Sequence, residues 1–218
     1  MSWFTDSIRA FLDRGDRLLL AFCLAASGYG LVLIYSATRY LETNRNMIVQ
    51  AVAILLGILV YVLMSSVDIE LFTEKSWKWM LAFNLVVNLL VRTPLGVEAG
   101  GNRSWISIPG FPVNIQPAEV AKLTFVLLLA WQINKLREKG ISRPSAVFQI
   151  AGHTLFMFAV IAVTSGDFGM GLTYLFIFVV MAWTGGVKKR WFLLAAAVCA
   201  VGIVLIWPHV SDLYFMKR

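Results

Sequence analysis

Leu18-Leu19-Leu20-Ala21-Phe22-Cys23-Leu24-Ala25-Ala26-Ser27-Gly28-Tyr29-Gly30-Leu31-Val32-Leu33-Ile34-Tyr35 is a run of 18 residues without a single charge. As a helix it would extend roughly 27 Å at 1.5 Å per residue, close to the thickness of a bilayer's hydrocarbon core. Met47 to Met64 repeats the pattern with another 18 uncharged residues. Further along, Pro144–Gly166, Phe168–Val187 and Trp191–Trp207 contain no Asp, Glu, Lys or Arg, and Pro208 reads as the stop of the last. Pro117–Asn134 is interrupted only by Glu119 and Lys122. Trp79–Val91 is 13 residues long between Lys78 and Arg92, and it spans only if those two cations snorkel. Asn84 and Asn88, one turn apart, are expected to face a neighbouring helix. The fold predicted is all-α: a polytopic transmembrane helical bundle of about seven spans over residues 17–208, within a single membrane domain 1–218.

Composition agrees. The 218 residues are 59% hydrophobic and 14% charged, where a soluble domain carries about 25% charged residues. Mean hydropathy is +0.76. The net charge of +7 fits loops at an anionic membrane face better than nucleic acid. Twelve of the nineteen Lys and Arg fall on one set of loop faces, among them Lys135, Arg137, Arg143 and Lys188–Arg190. Six fall on the other, and Lys122 lies inside a span. The positive-inside rule then places the N-terminus in the cytoplasm, with Gly101–Lys122 and Asp167 facing outward. Ahead of the first span, residues 1–16 alternate Trp3, Phe4, Ile8, Phe11 and Leu12 with Asp6, Arg9, Asp13 and Arg14. That spacing reads either as an amphipathic interfacial helix or as a frayed terminus. No cleavable signal peptide is visible. Cys23 and Cys199 sit in apolar runs and read as small buried residues, not as a disulfide or metal pair.

Polar chemistry gathers in two places. The first is Gly101-Asn102-Arg103-Ser104-Trp105-Ile106 followed by Gln116-Pro117-Ala118-Glu119-Val120-Ala121-Lys122. Pro117 suits a helix's first turn, where its missing N–H would have no partner. Glu119 then lies at the positive end of the helix dipole, and Lys122, three residues on, can pair with it. A charge in hydrocarbon costs about 2.5–3.5 kcal/mol, so such a pair usually lines a polar cavity. One reading is an outward cavity in which Arg103 and Lys122 meet phosphate charge and Glu119 holds Lys122 in place. The other is a structural ion pair fixing helix register, with Arg103 at the headgroups. The second place is Asp167, in the short turn between the fifth and sixth runs, where it is either a substrate-facing carboxylate or a helix cap. His153 reads as a hydrogen-bonded packing residue. No metal-ligand spacing, nucleotide-binding loop, Ser-His-Asp set, redox motif or cofactor site is evident.

The two segments together, a Gly-rich turn into Arg103-Ser104-Trp105-Ile106 and then Gln-Pro-Ala-Glu-x-x-Lys, resemble the signature of the SEDS family, the FtsW/RodA/SpoVE proteins of shape, elongation, division and sporulation. Gly166-Asp167-Phe168-Gly169 resembles that family's Pro-Asp-Leu-Gly turn, keeping the Asp and the second Gly. The resemblance implies a peptidoglycan glycosyltransferase of the bacterial cytoplasmic membrane that polymerises lipid II on its outer side. It implies a class B penicillin-binding protein and divisome or elongasome proteins as partners. Arg103, Trp105, Gln116, Glu119, Lys122 and Asp167 are the implied substrate-binding residues. The family has about ten spans, a large outer loop after the seventh, and a proposed catalytic aspartate beyond that loop's start, in a motif absent from this sequence. Residues 209–218 are therefore expected to open that loop, with the catalytic residue in a missing C-terminal part and the chain inactive alone. A lipid-linked precursor flippase and a non-catalytic scaffold for the cell-wall machinery remain the alternatives.

Overall fold

The computed structural model describes residues 16–39, 45–65, 67–110 and 113–214. The expected amphipathic segment 1–16 lies outside these, apart from Asp16. The chain divides into two compact units, Met1–Phe72 and Thr73–Arg218.

In the first unit, α1 is Arg17–Thr38 and α2 is Arg45–Met64. Asp16 caps α1, its carboxylate accepting the Leu19 N–H at 2.9 Å. A cap at this place satisfies one of the donors that a helix start leaves open. The Tyr61 hydroxyl donates to the Asp16 carbonyl at 3.0 Å, so the end of α2 returns to the start of α1 and the two form an antiparallel pair. No side chain of either helix is buried. Cys23 is exposed as a result, and so is Cys199 on the last helix. Both were expected to be buried. An apolar run says only that a residue avoids water, and the protein interior is one of two ways to do so.

Helix α3, Ile69–Leu89, begins ten residues before the apolar run that announced it. The Asp68 carboxylate accepts the Leu71 N–H at 3.0 Å and starts it. Glu70, Glu74, Lys75 and Lys78 are tolerated in its first turns because charge does not oppose helix formation, only burial. Its buried side chains are Thr73, Met80, Asn84 and Asn88, spaced at one or two helical turns along one face.

The second unit departs from the all-α expectation. After a 3-10 turn at Leu90–Arg92 come two strands, β1 Gly96–Ala99 and β2 Asn102–Ile106, paired antiparallel. Gly100 and Gly101 have φ of 66° and 86°, the two positive angles of a tight hairpin turn. Ile106 then exchanges backbone hydrogen bonds with Ile115 at 2.7 and 2.9 Å, folding the rest of the connection back to the strand. The connection from the 3-10 turn to α4 is therefore an anchored hairpin and not an open loop.

Four helices complete the unit: α4 Pro117–Arg137, α5 Pro144–Ser165, α6 Phe168–Thr184 and α7 Lys189–Tyr214. The core lies among α4, α5 and α6. Phe125, Leu129 and Ile133 meet Ile150, Met157 and Ile161, with Tyr174 and Ala182 from α6. Within each set the spacings are four, seven or eight residues, one or two helical turns, so each helix contributes one stripe. Gly171 lets α5 and α6 approach, since a methyl there would lie 2.7 Å from the Phe158 ring. Helix α7 runs through Pro208 to Tyr214, past its expected end. The proline removes one backbone donor, and the turns on either side carry the helix across it. Seven α-helices thus span the described residues, so the chain is mostly helical and not purely so. Three of them, α1, α2 and α5, are long and apolar enough to cross a membrane, and α6 is a shorter apolar helix.

Candidate functional site

The turn between α5 and α6 is where distant parts of the second unit converge. Helix α5 ends at Gly166 with φ 73°, a left-handed conformation that glycine adopts without penalty. Asp167 follows at once as the N-cap of α6, its Oδ1 accepting the Met170 N–H at 2.9 Å. Its other oxygen accepts from the Ser104 hydroxyl at 3.3 Å and from the Gln116 side-chain amide at 3.2 Å. Asn102, with its amide nitrogen turned toward the turn, donates to the Gly166 carbonyl at 3.2 Å. The Arg92 guanidinium donates to the Val163 carbonyl, one of those the end of α5 leaves open. The two-residue turn Gly166–Asp167 and the end of α5 are thus held by a hairpin strand, the start of α4 and the 3-10 turn.

Gln116 stands at the N-cap position of α4 without capping it, because its side chain reaches Asp167 instead. Ser104 was not singled out from the sequence, although it lies between Arg103 and Trp105. The signal available was strand alternation. Once 102–106 is a strand, Ser104 and Ile106 fall on one face and Arg103 and Trp105 on the other. The burial follows this parity, with Ser104 and Ile106 buried and Arg103 exposed. The same parity keeps Arg103 out of the Asp167 cluster. Its guanidinium donates to the Thr93 carbonyl at 2.9 Å and lies over Gly96.

Lys122 and Glu119 form an ion pair at 2.8 Å along α4. The Glu119 side chain is 53% exposed and that of Lys122 20%. Both side chains of the pair are thus partly exposed on the protein surface. Tyr174, fully buried below, donates to the Ala118 carbonyl at 2.7 Å and packs on Phe125 with ring centres 4.6 Å apart. That contact fixes the first turn of α4 against α6 and so places Glu119 and Lys122 at the same helix ends as Asp167. No hydrogen bond joins the ion pair to the Asp167 cluster among the described residues. The predicted residues thus fall into three groups: Gln116 with Asp167, Glu119 with Lys122, and Arg103 with the hairpin, Trp105 lying half-buried on the same strand.

Deeper in the unit, Asn84 accepts from the Thr124 hydroxyl at 2.6 Å, and Asn88 donates to the Asn84 carbonyl at 2.8 Å. The expectation that these asparagines face a neighbouring helix holds for Asn84. His153 pairs with Gln132 at 3.1 Å and packs on Phe125, as a hydrogen-bonded packing residue does.

Three helices long and apolar enough to cross a membrane, with a polar cluster at the α5–α6 turn, are consistent with the class of multi-pass membrane proteins. The chain belongs to the FTSW_RODA_SPOVE family, described as cell cycle proteins, whose model matches residues 16–218. It is 30% identical over 197 residues to the peptidoglycan glycosyltransferase RodA of Treponema pallidum, covering 88% of this chain and 43% of that protein. It is 26% identical over 188 residues to a probable peptidoglycan glycosyltransferase FtsW of Geobacter metallireducens, covering 84% of this chain and 49% of that protein. Among solved structures it is similar to a chain described under "Structural coordination of polymerization and crosslinking by a peptidoglycan synthase complex", with a TM-score of 0.74 and 26% identity. That match covers 89% of this chain and 55% of the other. The chain spans about half the length of the curated relatives it matches.

Proposed function

We propose that this chain takes part in polymerising lipid II at the outer face of the bacterial cytoplasmic membrane, and that it supplies the cationic half of the substrate site. Family membership supports a role in peptidoglycan synthesis in general. The finer reading adds seven spans, a cytoplasmic N-terminus, and the α4–α6 polar ends facing outward. In this reading Lys122 and Arg103 meet the pyrophosphate of the lipid-linked sugar, and Trp105 sits at the headgroup level. Glu119 holds the ammonium in place through the ion pair along α4. Asp167, Gln116 and Ser104 hold the hairpin, α4 and α6 in register around that site. Stabilising the departing pyrophosphate is the contribution such cations make to glycosyl transfer, and a carboxylate base would activate the acceptor hydroxyl. A crosslinking transpeptidase of the class B penicillin-binding type is the partner proposed to use the product.

The observation that carries this reading is the Lys122–Glu119 pair. It lies in the first turns of a 21-residue helix, with both side chains partly exposed. A structural pair locking two helices would bridge them, whereas this one lies along a single helix. The test is binding of labelled lipid II to the purified chain in nanodiscs. Lys122→Ala and Arg103→Ala should each weaken binding about ten-fold or more, as loss of a charge-assisted contact does. Unchanged binding in both would leave the motif as scaffold. Transfer of labelled lipid II across proteoliposomes without glycan product would favour a flippase instead.

A further inference from the structure

The opposite end of the same helices carries a second polar site. Helix α4 leaves the Asp167 cluster at Gln116 and ends at Arg137, while α5 starts at Pro144 and returns to it. Twenty-one residues make α4 roughly 31 Å long, about one hydrocarbon thickness. At that far end the α4–α5 and α6–α7 connections line an open surface cavity of about 460 Å³. Arg137, Arg143, Lys188 and Arg190 line it, and none of its lining residues carries a carboxylate.

The cavity is built by specific contacts. The Lys188 backbone N–H donates to the Ser142 hydroxyl at 2.9 Å, and the Trp191 indole donates to the Ser142 carbonyl at 3.0 Å. Ile141, which lines it, is buried and joins the core, as does Val187 beside the lining Gly186 and Lys188. Arg143 is the N-cap residue of α5, and Lys188 directly precedes α7, so two positive helix ends open beside the four cations. None of the four makes an ion pair among the described residues. Like charges gathered around one concavity repel one another and focus a field that an anion relieves.

Just below this ring the surface turns apolar. Phe148, one turn into α5, is 67% exposed, and Leu193, in the first turn of α7, is 71% exposed. Phe148 and Trp191 meet edge to face at 6.0 Å, while the Lys189 ammonium lies 5.5 Å from the Trp183 ring. Cations above, aromatics at the boundary and bare aliphatic surface beneath match the layers of one phospholipid molecule.

We propose that this cavity is a binding site for the phosphodiester headgroup of an anionic phospholipid in the leaflet opposite the Asp167 cluster. The four cations hold the headgroup, and its acyl chains lie along Phe148 and Leu193. The site rests on one part of the reading above, that α4, α5 and α6 cross the bilayer, and not on lipid II. It would tie the helix ends to an anionic leaflet and fix their depth.

The test is native mass spectrometry of the whole chain released from nanodiscs of phosphatidylglycerol or of phosphatidylcholine. Retained phosphatidylglycerol should exceed phosphatidylcholine, and Arg143→Gln with Lys188→Gln should reduce that excess by roughly five-fold per charge removed. Lys75→Gln with Lys78→Gln, which removes equal charge elsewhere, should leave it unchanged. An equal loss in both pairs would mean a generally basic face and overturn the site. Displacement of the lipid by millimolar inorganic phosphate would make it a soluble-anion site and overturn the lipid. Should the double variant fold poorly, Arg137→Gln and Arg190→Gln singly carry the same readout. Failure to insert into nanodiscs would sink the spans themselves, whereas insertion without lipid preference would sink this cavity alone.

Discussion

Asp167 serves two helices at once, capping α6 with one oxygen and holding Ser104 and Gln116 with the other. Asp167→Ala removes the cap and leaves two donors without an acceptor, an expected loss of about 1–3 kcal/mol. Asp167→Asn keeps an N-cap oxygen and should retain most of that stability. Thermal unfolding of the detergent-purified variants reads the difference. If Asn also preserves lipid II binding, the carboxylate's charge plays no part in recognition. A loss of binding at unchanged melting temperature would make Asp167 a substrate contact. Glu119→Gln poses the matching question for Lys122, because it strips the lysine of its counter-charge while keeping size and helix position. Binding should fall several-fold with little change in melting temperature, in line with an exposed pair worth at most about 1 kcal/mol.

Among the elements, the hairpin β1–β2 decides where the arginine goes. Gly96 lies so close to the 3-10 turn that a methyl there would sit 1.9 Å from the Val91 carbonyl oxygen and 2.9 Å from Arg103 Nε. That oxygen belongs to the backbone and cannot swing aside, so Gly96→Ala should displace the hairpin. The expected outcome is a lower yield of monodisperse protein and the loss of Arg103-dependent lipid binding together. Gly166→Ala acts at the other side of the same cluster. There a methyl would meet only ordinary contact, 3.6 Å from Asn102, but φ is 73°, so the cost is conformational, about 1–2 kcal/mol. A melting temperature reduced without change in lipid binding is expected, since Asp167 and its partners remain in place. An equal fall in binding would place Gly166 within the substrate site.

For the molecule as a whole, the prediction concerns sidedness. With Cys23 and Cys199 replaced by Ser, a single cysteine at exposed Ser107 should react with a membrane-impermeant maleimide from outside the cell. One at exposed Lys139 should react only after the membrane is opened. The reverse pattern would invert the topology and move both polar sites to the wrong leaflets. The separation of the two sites by the length of α4 makes this a sharp test, because no tilt of a ~30 Å helix brings both ends to one face.

The uncharged runs alone determined that helices form here and roughly where, because avoidance of water by 18 consecutive residues is a local property that needs no partner. The spaced Arg-x-Trp and Gln-Pro-Ala-Glu-x-x-Lys segments likewise identified the family, and the Glu119–Lys122 pair followed from helical spacing within one element. The strands at 96–106 escaped notice because five residues of alternation inside a Gly-rich connection are too few to outweigh its turn signals. Ser104 escaped with them, since its role depends on strand parity. That Ser104 and Gln116 meet a carboxylate 63 and 51 residues away was decided only by packing, as was the exposure of both cysteines. Sequence spacing carries no information about which face of a uniformly apolar helix turns inward. That choice belongs to the shapes of its neighbours, and here Tyr174 on Phe125 and the Ala118 carbonyl made it.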